Sequence, residues 1–145
     1  LVYYAEGNDL IIEGIALQAG SYTGQSQTTP ILYEGDVLQK ITPTLLNKPL
    51  RLDHLQGVAD IVGKVIHASY DSVKKAILFK AKVFDEKAKR LLKEGLVKAV
   101  SVGGHIDAIM GSNGRTARDG SFDELSLTEK PACKTCVITK ISEGI

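Results

Sequence analysis

Residues 85–110 read "DEKAKRLLKEGLVKAVSVGGHIDAIM". The first half carries a helical signature. Asp85 suits an N-cap, Ala88, Leu91 and Leu92 form a narrow apolar face, and Gly95 suits the left-handed position just past a helix end. From Leu96 the pattern changes to small and β-branched residues, which predicts a strand. That strand carries one hydroxyl, Ser101, and runs directly into Gly103 and Gly104. Packing alone accounts for a serine in a strand; so does a nucleophile with bare backbone beside it for a substrate carbonyl.

Working outward, "VADIVGKVIHASYD" and "KKAILFKAKVF" predict a β-hairpin joined at "YDSVKK", residues 70–75. "LVYYA" and "DLIIEGIALQAG" read as strands separated by the turn "EGND", and "SYTGQSQTTP" as a polar loop. "EGDVLQKI" predicts a short helix with Asp36 as N-cap and Pro43 ending it. On the C-terminal side "GSNGRTARDG" reads as a flexible basic loop, "SFDELSLTEK" as a strand stopped by Pro131, and "CVITKI" as a short last strand. Strands dominate, with one or two helices and no regular βαβ alternation. The expectation is a single domain over 1–145 of α+β class, a mostly antiparallel β-barrel with a few flanking helices.

Composition bounds the function. The chain has 145 residues, long enough to bury a core, and a formal net charge of +1. That balance gives no drive toward nucleic acid or anionic membranes. No apolar run approaches the roughly 20 residues that span a bilayer. The chain starts at Leu1 without a signal-peptide core, which reads as a fragment or processed form. Cys133 and Cys136 form a lone C-x-x-C. It supplies two ligands where a structural zinc needs about four, and it follows a turn rather than opening the helix of a βαβ unit. Two reduced thiols are expected, with no metal and no cofactor. A metal site using this pair and a histidine is the weaker reading.

A serine hydroxyl needs a base, and three histidines compete. His105, four residues after Ser101, lies about 13 Å along the same strand at roughly 3.3 Å per residue. His67 sits inside a hairpin strand. His54, in the irregular "NKPLRLDHLQG", is where a scaffold commonly presents reactive groups. A third member that orients the base is available in "FDELSL". Glu124 shares a face with Phe122 and Ser126, Asp123 with Leu125 and Leu127, and either acid fits. Asp53 adjoins His54, but neighbours in extended chain diverge.

The order "LRLDH", "GVADIVGKV", a hairpin, a helix ending "KEGLVKAVSVGG" and then "ELSLTEKPA" resembles the prohead (capsid maturation) serine proteases of tailed phages, which are related to the herpesvirus assemblins. The resemblance spans the chain from about "IIEGIALQAG" to "EKPAC". It implies an assemblin-like barrel and an endopeptidase that cleaves scaffold and capsid proteins during phage prohead maturation. It puts the nucleophile at Ser101, the general base at His54 and the third member at Glu124, with Asp123 second; in related branches the acid sits nearer the proline, where this chain has Ser126. Scaffold and capsid proteins are the implied partners, without nucleic acid or membrane, and a homo-oligomer is left open. The implied location is the prohead interior, assembled in the host cytoplasm. Members carry polar extensions that are trimmed on activation; this chain ends at "ISEGI" without one, which reads either as a trimmed form or as a sequence confined to the catalytic core. Backbone N–H groups near Gly103 and Gly104, or in the basic loop, are candidates for an oxyanion site. Arg115 and Arg118 of that loop are candidates to meet an acidic substrate residue. The competing reading is a non-catalytic β-barrel that assists capsid assembly or binds a partner. It requires Ser101 packed and His54 turned to solvent.

Overall fold

The computed structural model describes residues 8–23, 29–112 and 114–143. Nine strands and two α-helices follow in the order β1 (Leu10–Gln18), β2 (Gly20–Tyr22), β3 (Ile31–Tyr33), α1 (Gly35–Ile41), β4 (Pro49–Leu52), β5 (Ile61–Asp71), β6 (Ala76–Val83), α2 (Glu86–Lys93), β7 (Ala99–Gly111), β8 (Gly114–Thr128) and β9 (Ile138–Glu143). All belong to one sheet in the order β2-β3-β8-β4-β5-β6-β1-β9, with β7 paired to β8 off this path. Six of the pairings are antiparallel; β3–β8 and β4–β8 are parallel.

The expected barrel is corrected here: the sheet is not closed. β7 and β9, the strands that would seal it, form no ladder among the described residues: the chain entering β9 touches the start of β7 only through an isolated bridge of Ala99 with Val137 and the Val100 and Ile138 N–H groups donating to the Cys136 and Lys98 carbonyls at 3.0 and 2.8 Å. Past Val100 no strand among the described residues pairs with the outer edge of β7. A long edge strand is a template for a further strand, and proteins usually shorten or cover it. Here it is long and begins at Ser101.

The core fills the concave side. Leu10 and Ile12 of β1, Leu50 of β4, Ile77 of β6 and Phe122, Leu125 and Leu127 of β8 are buried with Leu38 and Ile41 of α1 and Leu92 of α2. α1 packs against β8. The 85–95 stretch folds as its sequence predicts: the Asp85 carboxylate accepts the Ala88 N–H at 2.9 Å, and Gly95 has φ +71°. The face differs in one place. Leu91 is only half-buried, while Lys89 lies under the helix with its Nζ donating to the Asn8 carbonyl and paired with Glu86.

Three local expectations are corrected. α1 starts earlier than predicted: its N-cap is Glu34, and Asp36 instead accepts the N–H of the adjacent Val37. Pro43 does not end the helical path, because the chain continues as a 3-10 turn over Thr42–Leu45. The basic stretch 111–120 is not a loop: residues 114–120 are the first half of β8, paired with β7 on one edge and, at Arg115 and Thr116, with β3 on the other. The "LVYYA" strand, the start of the "EGND" turn and most of the polar loop at 24–28 lie outside the described residues.

Candidate active site

β8 is the strand on which the site is built. Its C-terminal half has β7 antiparallel on one edge and β4 parallel on the other. Ser101 lies opposite Ser126, and Gly103 opposite Glu124. Directly opposed residues share a face of the sheet, so Ser101, Glu124 and Ser126 point the same way. β4 ends at Leu52, whose partner on β8 is Leu127, and the ladder continues one step as the Asp53 N–H donates to the Leu127 carbonyl at 3.0 Å. The chain then turns back: Asp53 (φ 47°) and His54 (φ 60°) are both left-handed. Two consecutive non-glycine residues in this region carry a backbone cost, and such outliers concentrate at functional sites. The turn is held by the His54 N–H donating to Ser126 Oγ at 3.0 Å and the Leu55 N–H donating to the Leu52 carbonyl at 2.9 Å. It folds the imidazole back across β8.

Ser101, His54 and Glu124 are therefore joined. The Ser101 hydroxyl donates to His54 Nε2 at 2.9 Å, and His54 Nδ1 donates to Glu124 Oε1 in a short contact. The tautomer follows from the network, because an ionised carboxylate accepts only. Glu124 is 3% exposed. A carboxylate that far from water is costly unless it is paired and hydrogen-bonded, and it is both. Oε1 also accepts from Ser126 Oγ at 3.0 Å; Oε2 accepts from Gln56 Nε2 at 2.8 Å and pairs with Arg51 Nε at 3.4 Å. The His54 ring remains partly open to solvent while its orienting acid is sealed.

The two glycines now have a physical reason. A Cβ on Gly103 would sit 3.0 Å from both Cγ and Oε1 of Glu124, so the bare backbone makes room for the carboxylate. A Cβ on Gly104 would sit 2.2 Å from the Ser121 carbonyl, at an irregular step in the β7–β8 register.

The other candidates do not join the group. Asp123 is exposed, 3.7 Å from the exposed His105. His67 is exposed on β5 opposite Lys80, and Asp53 is exposed on the turn. Residues 114–120, with their amides committed to a strand, no longer offer a loop for the oxyanion site. Cys133 and Cys136 are corrected from free thiols to a disulfide, and a bonded pair supplies no metal-binding thiolate. Among the described residues, no group of three or more His, Cys, Asp or Glu is placed to hold a metal ion, and no helix is long and apolar enough to cross a bilayer. Arg51 and Gln56 were not singled out by the sequence. Their places, three before and two after His54, acquire meaning only through the left-handed turn. Arg51 also pins that turn, donating to the Leu55 and Gly57 carbonyls at 3.2 and 3.0 Å.

A groove of about 550 Å³ runs from Ser101 and His54 along Val102, Gly104 and Ile106 to Tyr22, Tyr33 and Arg115. The disulfide forms part of its wall, and the Cys136 carbonyl accepts the N–H of Val100, one residue before Ser101. Burial pushes the Tyr22 and Tyr33 phenols upward, and the Arg115 charge draws Tyr33 partly back.

No family model and no curated protein sequence matches the chain. Solved structures match its fold, two viral proteases among them. The bacteriophage T4 capsid assembly protease aligns over 90% of this chain and 88% of its own, with a TM-score of 0.61 and 14% identity. The varicella-zoster virus protease aligns over 92% of this chain and 64% of its own, with a TM-score of 0.54 and 16% identity. The chain shares the fold of a phage capsid protease and a herpesvirus protease, in agreement with the family that its sequence resembles.

Proposed function

We propose that the protein is a serine endopeptidase that cleaves scaffold and capsid proteins as a phage prohead matures. The observation that carries this reading is the Ser101–His54–Glu124 hydrogen-bond chain, with its acid buried and fully partnered. In this reading His54 Nε2 takes the hydroxyl proton as Ser101 Oγ attacks the scissile carbonyl. The same nitrogen returns the proton to the leaving amine, and an acyl-enzyme remains. Water, deprotonated by His54, then releases the acid product. Glu124 holds the Nδ1–H tautomer and stabilises the imidazolium. The backbone at Gly103 and Gly104, which borders the groove beside Ser101, is the candidate oxyanion site.

Past Val100 the outer edge of β7 has no partner among the described residues, which supports a protein substrate: an extended segment laid on it as an added strand runs alongside Ser101. Scaffold and capsid proteins as partners, the prohead interior as location and the host cytoplasm as place of assembly extend the reading by way of the fold match to the T4 protease. The non-catalytic alternative, with Ser101 packed and His54 in solvent, has no support in the geometry.

The test is intact-mass analysis after exposure to a fluorophosphonate probe, run over a range of protein concentrations. One adduct on the wild type, absent from Ser101→Ala and His54→Ala, is expected. A folded wild type that stays unlabelled at every concentration overturns the proposal.

A further inference from the structure

The charge on the groove wall is one-sided. Arg115 at its far end and Lys130 near Ser101 both line it, and among the described residues no Asp or Glu does. The chain has 17 acidic residues to 18 basic ones, so this imbalance is local. Arg115 is fixed from behind. Its backbone N–H donates to the Pro30 carbonyl at 3.2 Å, its register partner on β3 is Ile31, and one terminal nitrogen donates to the Thr29 carbonyl at 3.2 Å. It forms no ion pair among the described residues. Its Nε is buried without any hydrogen-bond partner, the one side-chain polar atom in that state among them. A buried donor cut off from both water and protein acceptors is uncommon and calls for an explanation. With Nε sealed, Arg115 meets the groove through its terminal nitrogens, of which one donates to the Thr29 carbonyl, and the partner that matches such a partly used, charged donor group is a carboxylate. Arg118 is excluded from this role, since it faces a separate surface depression bordered by Glu34 and Asp36.

We propose that the Arg115 end of the groove is a subsite for an acidic side chain, so that the enzyme selects extended segments with Asp or Glu at a fixed position away from the scissile bond. This rests on the endopeptidase reading, because the groove is continuous with Ser101. Losing a charge-assisted bond between buried groups costs roughly ten- to a hundredfold in selection.

The experiment is cleavage-site mapping by mass spectrometry on a library of C-terminally amidated peptides, so that only side chains supply carboxylates. Wild type, Arg115→Lys, Arg115→Gln and Arg115→Glu are compared, each with its fluorophosphonate labelling rate and melting temperature. Expected is enrichment of Asp and Glu at one displaced position in the wild type, weaker in Arg115→Lys, lost in Arg115→Gln and replaced by Lys and Arg in Arg115→Glu, each preference being read against that protein's own labelling rate. Equal preferences in all four proteins, no acidic enrichment, or no cleavage beside normal labelling overturns the subsite alone. Absence of both labelling and cleavage in every folded protein overturns the endopeptidase reading and the subsite with it.

Discussion

Replacing Glu124 by Gln keeps shape and volume yet disables the proposed site through hydrogen-bond direction. The carboxylate faces donors on every side. His54 Nδ1 and Ser126 Oγ meet Oε1, while Gln56 Nε2 and Arg51 Nε meet Oε2. An amide has one accepting end and one donating end. With its oxygen toward His54, the NH₂ is left against Gln56 Nε2 and Arg51 Nε; the guanidinium has no lone pair to offer, and Gln56 can turn its Oε1 inward only by giving up its Nε2 bond to the His54 carbonyl at 2.8 Å. With the amide reversed, its oxygen accepts from Gln56 and Arg51, and Ser126 can rotate to accept from the NH₂. The reversed state is favoured, and in it the NH₂ points at His54 Nδ1. That nitrogen must then accept, the ring proton moves to Nε2, and Nε2 no longer takes a proton from Ser101. A triad locked in the wrong tautomer loses about 10⁴-fold, or about 5.4 kcal/mol at 1.36 kcal/mol per decade.

The assay is the fluorophosphonate labelling rate at Ser101, with melting temperature as a check on folding. Glu124→Gln is expected to be at least as slow as Glu124→Ala, in which the ring is free to choose its tautomer, while Glu124→Ala is the less stable of the two because Arg51 and Gln56 lose their acceptor. A Glu124→Gln protein that labels within tenfold of wild type, or clearly faster than Glu124→Ala, refutes the reasoning.

Gly103→Ala presses a methyl group against Glu124; labelling is expected to fall by more than tenfold for a stability cost of about 1 kcal/mol, whereas Gly104→Ala meets backbone and costs roughly 3 kcal/mol, a contrast that denaturant titration and labelling read together. The Cys133–Cys136 bond closes a four-residue loop, so its reduction is expected to cost about 2 kcal/mol on the loop-entropy account; urea melts with and without reductant measure it, and two reactive thiols in the untreated protein would contradict it. Tyr22 and Tyr33 are held above the ordinary phenol value by burial. A folded-state pKa above the unfolded one gives stability that is complete below pH 10 and drains away as pH rises through the folded value. Melting temperatures from pH 9 to 11.5 should fall in step with late tyrosinate absorbance at 295 nm, and Arg115→Gln should delay the Tyr33 component further.

Much of this was legible where the determining contacts are local. The Asp85 cap and the Gly95 stop concern one helix and its own amides, so the sequence around them is sufficient. The hairpin at 70–75 is a short-range turn. The failures are non-local. Polar and glycine-rich residues 114–120 resemble a loop by propensity, yet pairing with β7 and β3 makes them a strand, because sheet propensity yields to cross-strand partners. Whether the sheet closes depends on how β7 meets β9, two strands separated by all of β8 and the disulfide turn. The left-handed pair Asp53–His54 was illegible for a different reason: Asp and His are only mildly enriched at positive φ, too weak a signal to predict two in a row, and the turn is fixed by Ser126, 72 residues away. The face argument for β8 separated Glu124 from Asp123 only in part. It assumed one polar and one apolar face, whereas Phe122 and Glu124 through Thr128 are all buried.

Ser126 shows why fold and site are difficult to separate here. Its hydroxyl accepts the N–H that the left-handed turn removes from the β4–β8 ladder, and it donates to the carboxylate that orients His54. An alanine there would orphan one buried donor and withdraw one bond from a buried charge at the same time. A small hydroxyl residue meets both demands without adding a second charge beside Glu124. The position where related branches are expected to carry their acid is thus occupied by a group that serves the acid one step along the same face.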